Sequence, residues 1–283
     1  MKVLVTGAAG MLGRDLVPIL AESHEVIEAD IDQFDIADWP STLDFIEPRR
    51  PEALINLAAF TAVDRCETER DAAFRVNAVG PGNLARACER IGARIVHVST
   101  DYVFEGAASR PWREDDRPMP KSVYGKSKHL GEIAVFGESG RCAVVRTAWL
   151  YGPHGGNFVE SILRIAGERD TLSVVDDQAG SPTYTVDLAR GLATILDRGL
   201  CGLYHFTNSG QTTWRGFALA VLAEAGLERE VLPLTTEQLG RPAIRPLYSV
   251  MDTSKFERDA GYRPRSWEQG LSDYMKRRPA ITA

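Results

Sequence analysis

Tyr124 and Lys128 stand four residues apart in Ser122-Val123-Tyr124-Gly125-Lys126-Ser127-Lys128. On a helix that spacing puts both side chains on one face, one turn from each other. An ammonium beside a phenol favours the phenolate, so the pair reads as an acid or base usable near neutral pH. Upstream, His97-Val98-Ser99-Thr100-Asp101 carries a hydroxyl, Thr100, able to hold a carbonyl oxygen on which negative charge grows. Close to the N-terminus, Gly7-Ala8-Ala9-Gly10-Met11-Leu12-Gly13 directly follows an apolar run and directly precedes an amphipathic one. Glycines in that context permit a tight turn and a close backbone approach to a pyrophosphate, which then sits on the helix N-terminus. Gly7, Gly10, Met11, Leu12 and Gly13 are therefore read as the cradle of a dinucleotide. Taken together, these residues describe the movement of a hydride and a proton.

Such groups need a scaffold that brings them to one edge. Lys2–Thr6, Glu25–Ala29, Ala53–Leu57, Arg94–Ser99 and Arg141–Thr147 are short apolar runs rich in Val and Ile, as expected for buried strands. Between them Met11–Glu22, Thr42–Pro48, Glu69–Ile91 and Val123–Gly137 read as helices. This alternation predicts an α/β fold, a Rossmann-type parallel sheet with helices on both faces. After Tyr151 the rhythm loosens. Gly152-Pro153-His154-Gly155-Gly156 is a loop, followed by a helix at Phe158–Glu168 and a strand at Leu172–Val175. Asp187–Leu196, Trp214–Glu224 and Ser266–Lys276 read as helices, and Asp176–Pro182 and Arg241–Pro246 as loops reaching back to a ligand. The expected division is a dinucleotide-binding domain over 1–150 and a smaller, mixed substrate-binding region over 151–283, with later helices returning to the first domain.

Asp30 follows the second strand, 17 residues past Gly13, near the ~20 expected of the acid that binds an adenosine ribose. An aspartate there favours the free 2′-hydroxyl of NADH, and Arg14 beside the last glycine softens that preference toward NADPH. Asp35 and Ile36 offer an acid and an apolar face to an adenine, although Asp35 is equally a helix-capping residue. Small residues after the third strand, with Ala59, Phe60 and Thr61 along the route, let a cofactor pass beyond the sheet edge. Val98 is expected at the ribose next to the nicotinamide.

A net charge of −6 argues against a general binder of nucleic-acid backbones. No run approaches the ~20 apolar residues of a membrane span, and nothing at the N-terminus reads as an export signal. A cytoplasmic protein without a membrane partner is expected. Cys66, Cys88, Cys142 and Cys201 show no metal-ligand spacing and read as reduced, mostly buried thiols. The five histidines resemble no zinc signature and read as structural.

The glycine turn, the strand ending at Thr100 and the helix opening on Tyr124 resemble the extended short-chain dehydrogenase/reductases. Within them, Ser99-Thr100-Asp101-Tyr102-Val103-Phe104, Arg146-Thr147-Ala148-Trp149-Leu150-Tyr151-Gly152 and Asp177-Gln178-Ala179-Gly180-Ser181-Pro182-Thr183 resemble the dTDP-4-dehydrorhamnose reductase family. So do Thr61-Ala62-Val63-Asp64 and Arg245-Pro246-Leu247-Tyr248-Ser249. The resemblance implies that Thr100, Tyr124 and Lys128 are catalytic, and that a dTDP-linked 4-keto-6-deoxysugar is reduced with NADPH or NADH. It also implies that Tyr124 and Lys128 touch the cofactor, and that Lys128 lowers the phenol pKa. For the sugar side the readings stay paired: Asp101 binds the sugar or caps a turn, Trp149 is a stacking platform or a core filler, and Arg245 meets a diphosphate or a surface acid. Some relatives form homodimers bridged by magnesium through surface acids. Asp15 is the candidate here, magnesium stays unassigned, and a homodimer is left open. The alternatives are another nucleotide-sugar reductase or epimerase, and a non-catalytic dinucleotide-binding regulatory subunit of methionine adenosyltransferase.

Overall fold

The computed structural model describes residues 1–278. The first half runs β1 (Lys2–Thr6), α1 (Met11–Ala21), β2 (Glu25–Ala29), α2 (Trp39–Arg49), β3 (Ala53–Asn56), the short α3 (Val63–Cys66) and α4 (Arg70–Phe74), α5 (Gly80–Ile91), β4 (Arg94–Thr100), α6 (Val123–Glu138) and β5 (Cys142–Thr147). The second half runs β6 (Leu150–Tyr151), α7 (Phe158–Glu168), β7 (Thr171–Val175), β8 (Ala179–Gly180), β9 (Thr183–Tyr184), α8 (Thr185–Asp197), β10 (Gly202–His205), β11 (Thr212–Thr213), α9 (Trp214–Glu224), β12 (Glu230–Leu234), α10 (Thr236–Leu239), α11 (Ser254–Ala260) and α12 (Trp267–Arg277).

Six strands form one parallel sheet in the order β10-β5-β4-β3-β1-β2. Both faces are apolar because successive side chains alternate across a strand. Val3 and Val5 of β1 join Leu12, Leu16 and Leu20 of α1 and Leu188, Leu192 and Ile195 of α8. Leu4, between them, joins Ile46 of α2, Leu84 and Cys88 of α5 and Val135 of α6 on the other face. Thus α8, from beyond residue 150, covers the sheet beside α1.

The sixth strand, β10, was not anticipated. Its Gly-Leu-Tyr-His segment is short and carries no run of branched residues, and it is held by pairing in register with Ala143–Arg146 of β5. The helix expected over Glu69–Ile91 is interrupted: α4 passes into a π-helical turn at Arg75–Val79 before α5 begins. That turn seats Asn77, whose buried amide accepts from Phe60 N (2.8 Å) and donates to Phe60 O and to Ser127 Oγ (both 3.0 Å). The loop after β3 is thereby tied to α6.

A second core joins α7, α9, α12 and the parallel pair β7–β12 around Tyr151, Tyr184 and Phe217. Strand β12 was also missed by the sequence reading. Three cysteines are buried and Cys201 is exposed. Among the described residues no helix is long and apolar enough to cross a membrane.

Candidate active site

A cavity of about 1120 Å³ opens beyond the carboxyl ends of the central strands. Apart from Arg14 and Asp15, the candidates from the sequence border it: Gly7, Gly10, Met11, Leu12 and Gly13; Asp30, Asp35 and Ile36; Ala59, Phe60 and Thr61; Val98, Thr100, Asp101, Tyr124 and Lys128; and Trp149 with Arg245.

At one end the chain leaves β1 through Gly7, whose φ of +72° favours glycine, and a Cβ there would lie 2.7 Å from Ala58 N. At Gly13 a Cβ would meet Ala8 O at 2.4 Å, so α1 packs down onto the turn only because that atom is missing. Gly10 caps α1 without a side chain, leaving the first-turn N–H groups free of protein acceptors. This end fits a pyrophosphate. Asp30 accepts from Ala9 N (3.2 Å) and Ile31 N (2.9 Å), which holds its carboxylate against the turn. Asp35 accepts from Ala37 N (2.8 Å) and is paired with Arg75 (2.9 Å), while Asp38 is the residue that caps α2.

The opposite wall is built by β4 and α6. Ser122 caps α6 through Gly125 N (3.1 Å), and Glu67 accepts from Val123 N (2.9 Å). Gly125 lets the helix press onto the short 3₁₀ turn Asp101–Val103, since a Cβ there would lie 2.2 Å from Tyr102 O. Tyr124 therefore stands edge-on to Tyr102, with ring centroids 5.4 Å apart. Thr100 Oγ1 donates to Asp101 Oδ1 (3.0 Å) and accepts from Tyr102 N (3.3 Å). The other carboxylate oxygen of Asp101 is buried, and burial, opposed by the hydroxyls of Ser249 and Thr100, pushes this acid up to about 6.

The expected ammonium–phenol pairing is not what the side chains adopt. Lys128 Nζ donates to Val98 O at 2.7 Å and lies 3.4 Å from His97 Nε2. Burial, opposed by the Thr100 hydroxyl, pushes the Tyr124 phenol above its ordinary value. Burial also holds Lys128 down to about 8, with Glu132 pulling the other way. Burial thus favours the protonated phenol, the form able to donate, while tightening its hold on that proton relative to a free tyrosine.

Behind this wall Arg146 of β5 forks onto Glu132 of α6 at 2.8 and 2.7 Å, and both are buried. Burial alone would raise the Glu132 carboxyl, but Arg146 and His129 bring it down to about 2. Neither residue of this pair was singled out from the sequence, because an Arg and a Glu 14 apart carry no signal until β5 and α6 meet.

Trp149 has φ +51°, in the left-handed region where a large side chain is rare. Its neighbours explain how that conformation is held. Thr183 N donates to Trp149 O (3.1 Å), and a Cβ on Gly180 would lie 2.4 Å from the indole. Trp214 stacks on the indole at 3.6 Å with the ring planes 7° apart, and donates through Nε1 to Gln178 (3.1 Å). The Asp176–Pro182 segment, read from the sequence as a loop reaching back to a ligand, sets Gly180 and Gln178 against this tryptophan pair, and Gln178 also borders the cavity. Trp149 is half-buried: it borders the cavity and also packs against the small core of Val103, Phe104, Trp112, Ala148 and Met251.

Arg245 meets an acid: its guanidinium forks onto Asp64 at 3.0 Å on both oxygens, with Arg241 at 3.6 Å from the same carboxylate. This pair ties the late proline-rich loop to α3. Asp15 accepts from the Thr185 hydroxyl and lies 3.5 Å from His154 Nε2. Among the described residues no three His, Cys, Asp or Glu side chains group as a metal site.

Residues 1–279 match the family described as the RmlD substrate binding domain. A dTDP-4-dehydrorhamnose reductase of Streptomyces griseus is 43% identical over 95% of this chain and 91% of its own length. The spore coat polysaccharide biosynthesis protein SpsK of Bacillus subtilis is 44% identical over 98% of each chain. Among solved structures, a dTDP-4-dehydrorhamnose reductase of Bacillus anthracis in complex with NADP superposes with a TM-score of 0.94 at 38% identity, covering 97% of this chain and 98% of that one. Full-length agreement in sequence and in fold, together with the glycine turn and the Thr-Tyr-Lys wall, makes this chain a member of the RmlD family, that of the dTDP-4-dehydrorhamnose reductases within the extended short-chain dehydrogenase/reductases.

Proposed function

We propose that the protein reduces the C4 ketone of dTDP-4-dehydro-β-L-rhamnose to give dTDP-β-L-rhamnose, using NADPH or NADH. One observation carries the reading: a single cavity has a glycine cradle at one end and, along the same surface, a hydroxyl, a phenol, an amine and a tryptophan. In this reading residues 1–150 hold the dinucleotide and 151–283 shape the sugar side, while α8 and β10 complete the first unit. A reduced nicotinamide, when bound, supplies the hydride. Tyr124 gives its proton to the oxygen of the ketone as negative charge develops there. Thr100 holds that oxygen by a hydrogen bond, which it is free to donate once Asp101 is protonated and donates to it in turn. Lys128 holds the nicotinamide ribose, with Val98 beside it. Asp101, Trp149 and Arg245 serve the sugar and its diphosphate, for which Arg245 must exchange its Asp64 partner. A cytoplasmic location is part of the reading. A homodimer is part of the reading, supported by the exposed Leu130, Ile133 and Phe136, three residues apart along α6.

The direct test is a cofactor-oxidation assay with the keto sugar made in place from dTDP-glucose. Loss of reduced-nicotinamide absorbance with formation of the rhamnose product is expected. A product that keeps its ketone, with the cofactor left reduced, would sink the reading in favour of an epimerase.

Two substitutions divide the cavity. Asp30→Ala removes a negative charge beside the 2′ position and is expected to shift the NADPH to NADH specificity ratio toward NADPH by about tenfold, the size of one 1.4 kcal/mol interaction. An unchanged ratio would remove Asp30 from the ribose. Trp149→Ala is expected to raise the KM of the sugar or lower its turnover while leaving NADPH affinity nearly untouched, because an indole suits the apolar face of a 6-deoxysugar. Weakened cofactor binding or loss of folding would return Trp149 to the core.

A further inference from the structure

His97 lies at the centre of the sheet with no exposed surface, and its two ring nitrogens meet different partners. Nδ1 is 3.0 Å from Asn56 Nδ2, and Nε2 is 3.4 Å from Lys128 Nζ. The orientation of the Asn56 amide is decided by its other end. Its oxygen accepts from the Ala58 backbone N–H (3.0 Å) and from the Thr6 hydroxyl (2.8 Å), and a backbone N–H can only donate. The Asn56 amino group therefore faces the imidazole, Nδ1 must accept, and the proton of the neutral ring belongs on Nε2. A charged imidazolium would have no acceptor for Nδ1–H, and burial together with the Lys128 charge holds its pKa well below the ordinary value.

We propose that His97 is a positioning residue for Lys128: locked by Asn56 in the Nε2–H tautomer, it turns a donor toward the lysine nitrogen and favours the neutral amine over the ammonium. An ammonium at this place has Val98 O as an acceptor but faces another N–H across 3.4 Å. A neutral amine donates to Val98 O and accepts from His97, so both contacts are satisfied. The lowered proton affinity of Lys128 agrees with this wiring. Other charged or titratable groups packed around the pair are Glu132 and Tyr124, one turn either side of Lys128 on α6. Arg146 from β5 occupies Glu132, and Asp101 stands on Thr100 at the end of β4.

The consequence for turnover rests on the catalytic roles proposed above. After Tyr124 has given its proton to the substrate oxygen, the Lys128 ammonium, which must leave Val98 O to reach the phenolate, returns a proton to it. It thereby becomes the neutral amine that His97 stabilises, and solvent recharges it. Charge and protons balance, and no further reactant is needed.

The test does not depend on turnover. In the native protein, ring ¹⁵N shifts are expected to show His97 protonated on Nε2 and bare on Nδ1, without titration between about pH 5 and 9; the Nδ1–H tautomer would overturn the proposal whatever any variant does. With ¹³Cε-labelled lysine, the Lys128 resonance is compared in native protein and His97→Asn. That variant keeps an acceptor for Asn56 but withdraws the donor from Lys128. The midpoint is expected to rise by at least one pH unit, a tenfold gain in proton affinity, and His97→Gln, long enough to present an amide N–H at the old Nε2 position, is expected to move back toward native. A purely structural histidine would lower the melting temperature and leave the midpoint in place, and that result would also overturn the proposal. A protein that meets these expectations yet fails to reduce the keto sugar would refute the substrate reading and leave the His97–Lys128 pairing standing.

Discussion

Tyr124→Phe is expected to lower turnover by ~10²–10⁴-fold, the usual contribution of a positioned proton donor. The dissociation constant of NADPH should change little. Phenylalanine keeps the ring and its edge-on contact with Tyr102, so the wall of the cavity stays in place and only the proton is lost. The phenol carries the proton this task needs, and burial makes it hold that proton more tightly than a free tyrosine does. An acid is what a ketone reduction needs from the protein, whereas the reverse oxidation would call for the phenolate. Single-turnover measurement of hydride transfer alongside a binding titration separates the two effects. A rate near native would remove Tyr124 from the chemistry, and a lost cofactor affinity would make it a binding residue.

Glu132→Gln is expected to cost about 3–5 kcal/mol of stability, the range for breaking a buried ion pair by removing one partner. Arg146 would be left charged, enclosed and short of its carboxylate, with its remaining N–H groups poorly placed to find other acceptors. The pH dependence gives an independent check. Glu132 is held down to about 2 in the fold. Its stabilisation is therefore present above the ordinary glutamate range near 4.5 and is lost as pH falls toward 2. Denaturant midpoints measured down that range should fall for the native protein, and the part of the slope due to this group should vanish in the variant. An equally steep loss in both proteins would mean that other carboxylates dominate acid unfolding. Because Glu132 and Lys128 share α6, the variant should also disturb turnover through the helix without any contact to substrate.

Much of the fold was legible where local chemistry and tertiary structure agree. The strands at Lys2–Thr6 and Glu25–Ala29 and the helices at Phe158–Glu168 and Trp214–Glu224 have the bounds expected of them. There, apolar periodicity, β-branched content and caps all point the same way. Strand β10 was illegible because four residues without a branched run become a strand only when an edge of β5 is waiting for them. The π-helical turn was illegible for a related reason. Nothing within Arg75-Val76-Asn77-Ala78-Val79 asks for a widened turn, but its Asn77 must reach both Phe60 and Ser127.

The residues that do chemistry in the proposed reaction could be named from types and spacing alone: glycines before a helix, a Tyr and a Lys one turn apart, and a threonine at a strand end. What the chain by itself determined was therefore the inventory of the site and the side of the sheet on which it gathers. The state of those groups was decided only in three dimensions. Burial, a long-range property, turned Tyr124 toward the acid form and Lys128 toward the amine, against the simple pairing expected of neighbours on one helix face. The same holds for partners far apart in sequence: Arg245 with Asp64, Trp149 with Trp214, Glu132 with Arg146, and His97 with Asn56. Spacing along a chain specifies which groups share a helix face, while charge state and hydrogen-bond direction depend on what the rest of the fold packs against them.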